Sequence, residues 1–177
     1  MWSDLGPDHR RWVLLNAILG SAAINVLVTG VGAATAVHGG AHVRLWPSYL
    51  VDSPNLAYQT VGTLIILPIA TSVFCTHAVY RQREAGRLTP LDLGDHPLLA
   101  RLPAGRLARG GVLAGLSLMA LPFLLAVLDA ADLQPDRVGF VAYAAALALA
   151  LGLALTPPIA VRAMTDPVAV EPRPAPR

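Results

Sequence analysis

Long apolar stretches alternate with short polar ones along the whole chain. Four stretches contain no Asp, Glu, Lys or Arg: Trp12 to Val37, Leu56 to Tyr80, Gly110 to Leu128 and Val138 to Val161. A helix of about 20 residues crosses a bilayer core of about 30 Å, and each stretch reaches or approaches that length. The pattern predicts an all-α integral membrane bundle of four transmembrane helices over residues 12–37, 56–80, 110–128 and 138–161. These form one domain, 1–165, followed by a Pro-rich tail, 166–177, expected to be disordered. Asp4 and Asp8 precede the first run, which is too long for the apolar core of a cleavable signal; it is read as the first helix.

Small residues predict where the helices meet, because helix association in lipid relies on close backbone approach and polar contacts. At 100° per residue, Asn16, Gly20, Ala23, Gly30 and Ala34 fall on one side of helix one, and Ser21, Asn25, Thr29 and Gly32 on the other. Two such stripes back to back place helix one between neighbours. Helix three opens with Gly111-x-x-x-Gly115, and helix four carries Ala144, Ala148 and Gly152 at four-residue spacing. Pro68, Pro122, Pro157 and Pro158 interrupt three spans, each removing a backbone donor and freeing a carbonyl. Pro68 reads as a kink and hinge, with Thr63, Thr71 and Ser72 within reach of the freed carbonyl.

Composition agrees with the pattern. Hydrophobic residues make up 55% of the 177 and charged residues 14%, against about 25% charged in soluble domains. A net charge of +2, dispersed, does not suggest nucleic-acid binding. All 13 basic residues are Arg, and eleven of them fall on the N-terminal flank, the connection between helices two and three, and the C-terminal flank. Arg asymmetry of this kind predicts both termini and the middle connection on the cytoplasmic side, N-in/C-in. The middle connection, Pro97 to Arg109, interleaves Leu with Arg. It reads either as a basic interfacial segment with Leu in the acyl boundary or as a solvated basic loop.

Candidate chemistry is sparse. The most polar face belongs to helix two, where Gln59, Thr60, Thr63 and Thr71 cluster on the helical wheel, with Asn16 and Asn25 on helix one as natural partners. This stripe is either a ligand-binding site for a small neutral or anionic molecule or interhelical glue. His77 and Trp46 are expected at the interface. A membrane cytochrome needs axial His paired across helices, and no second His lies within a span. His38 and His42 have i, i+4 spacing, but Gly39 and Gly40 disfavour the helix that would present them to a metal, so no metal site and no cofactor are predicted. Cys75, the only cysteine, excludes an internal disulfide and a Cys-x-x-Cys redox pair, and reads as a buried small residue. The sequence contains no Gly-x-Ser-x-Gly, His-Glu-x-x-His or phosphate-binding Gly-rich loop.

The first half carries Asn16 and Asn25, then Trp46-Pro47 and Asp52, then Thr60, Thr63, Leu67-Pro68 and Thr71, closing on Arg81 and Arg83. In this it resembles a loosely defined group of bacterial four-helix inner-membrane proteins that generally have no assigned activity. The resemblance implies fold and a bacterial inner-membrane location, but no reaction. The Gly62-Thr63-Leu64 run is similar to small fluoride channels, but Leu67, Pro68 and Ala70 replace the Asn and Gly that continue that pattern. Small multidrug exporters rely on a buried Glu, and no span here has one.

Three function classes follow. The first is a non-enzymatic scaffold, accessory or regulatory subunit acting through helix packing, with the lipid bilayer and a second copy or another membrane protein as partners. The second is a small oligomeric permease or channel for a small neutral or anionic solute; lacking a charge in the membrane, it would not couple to ions. The third is a lipid-modifying enzyme using His77, Glu84, Asp92, Asp95 and His96, which are scattered and form no recognised constellation.

Overall fold

A computed structural model describes residues 5–37, 42–46, 55–92 and 97–166, without the side chains of residues 16, 17, 97 and 98. Four helices are long and apolar enough to cross a membrane: α1 Pro7–Ala36, α2 Leu56–Glu84, α3 Arg106–Ala130 and α4 Arg137–Thr165. Among the described residues there is no strand. Each helix is longer than the charge-free stretch that predicts it, α1 only at its start and α2 only at its end. Asn55 accepts from Tyr58 N at the start of α2, and Asp136 accepts from Gly139 N at the start of α4.

The helices do not pack in chain order. α2 packs against both α3 and α4, α4 packs against α1, and α1 touches α2 only lightly. The centre is therefore α2 and α4, and the periphery α1 and α3. Of the most apolar window of α2, 44% is buried, against 19% for α1. This corrects the sequence expectation that α1 is sandwiched. Over Ser21–Ala36 the buried residues are Ala22, Asn25 and Ala33, while Ala23 and Gly32 are exposed. Val13–Gly20 of α1 is π-helical, so each of its turns takes an extra residue. A uniform 100° wheel therefore loses phase across it, and the stripe drawn from Ala23 onward cannot be extended back through it.

Two glycines set the closest approaches. A Cβ on Gly110 would lie 2.8 Å from Ile69 Cα and 3.3 Å from Ser72 Cβ, so α3 crosses α2 backbone to backbone there. Gly111 and Gly115, the pair picked out by spacing, have nothing within 4 Å and face outward. On α4 the four-residue spacing does mark an interface: Ala144, Ala148 and Gly152 are buried, and a Cβ on Gly152 would meet Asn25 Nδ2 at 3.2 Å and Ala22 Cα at 3.6 Å.

Prolines are accommodated in different ways. α2 and α4 run through Pro68 and through Pro157 and Pro158. α3 instead ends a first segment at Leu118, turns at Met119 and Ala120, and restarts at Leu121. Pro122 thus sits in a first helical turn, where its missing N–H is not needed. Thr63, Thr71 and Ser72 do not serve the carbonyl freed by Pro68 as the sequence suggests. Thr63 donates to Gln59 O at 2.8 Å, Thr71 accepts from Asn25, and Ser72 donates to Arg106 O at 2.8 Å.

At one end of the bundle Leu5, Leu99 and Val161 form a small core, and Leu91 N donates to Met164 O. Leu99 lies in a one-turn helix, Pro97–Ala100, and turns into the protein, not into an acyl layer. At the opposite end Ala33, Val37, Val43, Leu45, Leu56, Leu128 and Phe140 cluster. Val43 N donates to Pro135 O there, and Arg137 donates to Ala34 O at 2.9 Å.

Candidate functional site

Three polar features lie inside or between the helices. The first is a charge cluster at the end holding the start of α1 and the end of α4. Asp166, just past α4, is 2% exposed, and Arg109 near the start of α3 is fully buried. Arg109 donates to Asp166 Oδ2, and Arg162 donates to Asp166 Oδ1. Tyr80 OH donates to Oδ2 at 2.9 Å. Arg109 also donates to Thr76 Oγ1, Pro103 O and Ala104 O, at 3.1, 3.1 and 2.8 Å. Arg83 donates to the backbone carbonyls of Asp166 and Ala163. Both carboxylate oxygens are thus taken by charge-assisted bonds, the strong class of hydrogen bond. An oxygen held this way is not free to take a proton from a substrate or to bind a metal, so the cluster is a lock joining α2, α3 and α4.

This cluster is not visible in the sequence pattern, where Arg109 stands among loop cations and Asp166 opens the Pro-rich tail. Asp166 is ordered and buried; residues 167–177 lie outside the described residues. The signal in the sequence is small: Arg162 and Asp166 stand at i, i+4 at the end of a helix.

The second feature is a hydrogen-bonded layer in mid-bundle. Asn25 Nδ2 donates to Thr71 Oγ1 at 3.3 Å and lies 3.4 Å from Ser21 Oγ, which accepts from Thr156 Oγ1 at 3.2 Å. This chain joins α1, α2 and α4. Thr60 points elsewhere: its hydroxyl donates to Leu56 O, so Tyr143 OH of α4 donates to it. Gln59 Nε2 donates to Thr63 Oγ1 at 3.1 Å within α2. The expected stripe keeps Asn25, Gln59, Thr63 and Thr71 along one groove but loses Thr60 to α4. Asn25 and Thr71 are bonded together, Thr60 turns to α4, Gln59 and Thr63 pair with each other, and the Asn16 side chain lies outside the described residues.

The third feature is a groove between α1 and α2, left by their light contact. One part, about 330 Å³, is walled by Ile24, Asn25, Val28, Gln59, Thr63 and Ile66 among others. A second part, about 340 Å³, shares Ile24, Asn25 and Phe74 and continues past Thr71, Cys75 and Ala78 to Trp12. Volumes of this size suit small-molecule ligands. Ile24, Val28, Ile66 and Phe74 are 62 to 71% exposed along its rim, so it opens sideways.

The remaining predicted residues lie outside these features. His77 is exposed on α2, and Trp46 is 55% exposed near the opposite end. Pro68 is buried in α2. His42 Nδ1 donates to Gln134 O at 2.9 Å; His38 and Asp52 lie outside the described residues. Glu84 and Asp92 are exposed and do not converge with His77, while Asp95 and His96 lie outside the described residues. His9 Nε2 donates to Thr89 O at 3.0 Å and anchors the start of α1. Among the described residues, no three His, Cys, Asp or Glu are grouped as a metal would need. The chain matches no family model, no curated protein and no solved structure.

Proposed function

We propose that the chain is a non-enzymatic multi-pass protein of the bacterial inner membrane, N-in/C-in, that acts as a scaffold, accessory or regulatory subunit through helix packing with a second copy or another membrane protein. The observation that carries the reading is the outward face of α3. Gly111 and Gly115 lie one turn apart with open space above them, while the contact to α2 is made by Gly110. Small residues at this spacing let a second helix approach closely in lipid, and here the chain's own helices leave them uncovered. The N-in orientation is supported by Arg10, Arg11, Arg81, Arg83, Arg87, Arg101 and Arg106 lying on one end of the bundle. The resemblance of the first half to bacterial four-helix inner-membrane proteins bears on location alone.

The test is association in liposomes at dilute protein-to-lipid ratios, read by energy transfer between labelled copies and by site-specific crosslinking from Gly115 in cells. Wild type is expected to associate with itself or with one partner, and Gly111→Ile and Gly115→Ile to weaken this at least roughly tenfold. Random-collision energy transfer together with no discrete crosslinked product overturns the reading.

The polar part of the groove, with Asn25, Gln59 and Thr63, supports the second reading, a small oligomeric permease for a small neutral or anionic solute. It requires solute flux in proteoliposomes that Thr63→Val abolishes; unchanged flux counts against it.

A further inference from the structure

The groove has a mouth of different character. Where α1 begins and α2 ends, a depression of about 390 Å³ is lined by Asp8, Arg11, Trp12, Gln82, Arg87 and Leu88, among others. Trp12 borders both this depression and the apolar groove, so the two are neighbours along one line. The residues of α2 that line them step along one face: Thr71, Phe74, Cys75, Ala78, then Gln82. Eleven residues separate Thr71 from Gln82, about 16 Å of helix. That is close to half of a hydrocarbon core of about 30 Å, the depth of one leaflet.

We propose that this line is a binding site for one anionic phospholipid. Its headgroup phosphate lies between Arg11 and Arg87, with Gln82 as a further donor, and one acyl chain runs down the groove past Trp12, Ala78 and Phe74 towards Thr71. Three observations meet here. The groove walls are apolar and open sideways, as an acyl chain needs to enter from the bilayer. The two cations are exposed where α1 begins and α2 ends, beyond the apolar spans, and an Arg near a membrane surface attracts anionic lipid. Asp8 offsets one of the two charges, so these three residues leave one net positive charge, the complement of a headgroup with one net negative charge. The site does not depend on the α3 reading, because α3 lines no part of it.

Trp12 gives the assay. The full chain carrying Trp2→Phe and Trp46→Phe keeps Trp12 as the sole indole. It is placed in bilayers with brominated phosphatidylglycerol or brominated phosphatidylcholine of the same chains. Brominated phosphatidylglycerol is expected to quench Trp12 at a several-fold lower mole fraction. Arg11→Gln and Arg87→Gln, both at exposed positions, are each expected to reduce the preference roughly fivefold. Ala78→Phe fills the groove and is expected to abolish the preferential quenching while surface binding of the headgroup persists. Millimolar inorganic phosphate is expected to leave the quenching unchanged.

Equal quenching by the two lipids overturns the proposal, as does a preference untouched by either Arg substitution. Quenching displaced by phosphate alone means a free-anion site, and persistence in Ala78→Phe means an annular lipid outside the groove; either outcome also overturns it. Gly111→Ile is expected to leave the preference intact, which separates failure of this site from failure of the association reading.

Discussion

Asp166→Ala removes the acceptor that Arg109, Arg162 and Tyr80 share. Arg109 is then a fully buried guanidinium held only by Thr76 Oγ1 and the carbonyls of Pro103 and Ala104. Breaking a buried pair by deleting one member costs about 3–5 kcal/mol, because the surviving charge stays out of water without compensation. An exposed pair is worth about 0–1 kcal/mol. The two cases are far enough apart to be told apart by unfolding in mixed detergent and dodecyl sulfate micelles, followed by helical circular dichroism. Asp166→Asn keeps the shape but turns an amide donor towards a cation, and is expected to recover only a fraction of the loss. The cycle Arg109→Met with Asp166→Leu should give a coupling of about 0.5–3 kcal/mol, since the two side chains touch. A loss below about 1 kcal/mol for Asp166→Ala, together with additive single effects, refutes the argument that the cluster is a dry lock.

Other substitutions probe the packing. Gly110→Ala places a methyl 2.8 Å from the Ile69 backbone and is expected to destabilise the protein by about 1–3 kcal/mol. Gly111→Ala, one residue along and facing open space, is expected to leave unfolding within about 0.5 kcal/mol of wild type, and the opposite order would mean that α3 is rotated. Asn25→Leu removes the bond to Thr71 and should cost about 0.6–1.7 kcal/mol in the same unfolding assay, with a stabilising effect contradicting the polar layer. Cys75 is 7% exposed, so maleimide labelling should be slow in the folded protein and rapid after unfolding; fast labelling in bilayers would mean the groove is open to water.

The existence of four membrane-length helices is legible in the sequence because the signal is local: each apolar run excludes charge over a bilayer's thickness. The helix ends are less legible. Arg109 looks like a loop cation until its partner is known, and that partner lies 57 residues away beside a Pro-rich tail. Packing is legible only where spacing and rotation agree. Ala144, Ala148 and Gly152 meet that condition. Gly111 and Gly115 do not, because a shift of one residue turns a helix face by about 100° and Gly110 takes the contact instead. The face of α1 is hidden for another reason: a π-helical stretch without Pro or an internal Gly to announce it resets the phase between Val13 and Gly20. The polar stripe of α2 reads as one surface on a wheel, but Thr60 turns away from it to Tyr143 once α4 is in place.

The lock at Asp166 also sets a timetable. The chain emerges from the ribosome Arg first: Arg109 is synthesised 57 residues before its counter-ion, an interval of roughly 3–11 s at about 5–20 residues per second. Throughout that interval the third helix carries an unmatched cation at its leading edge, which favours holding that edge among water and phosphates. Only when translation has passed residue 166 does the bundle gain the anion that draws this end inward. Closure of this end of the bundle is thereby tied to synthesis of α4 and the Asp166 that follows it.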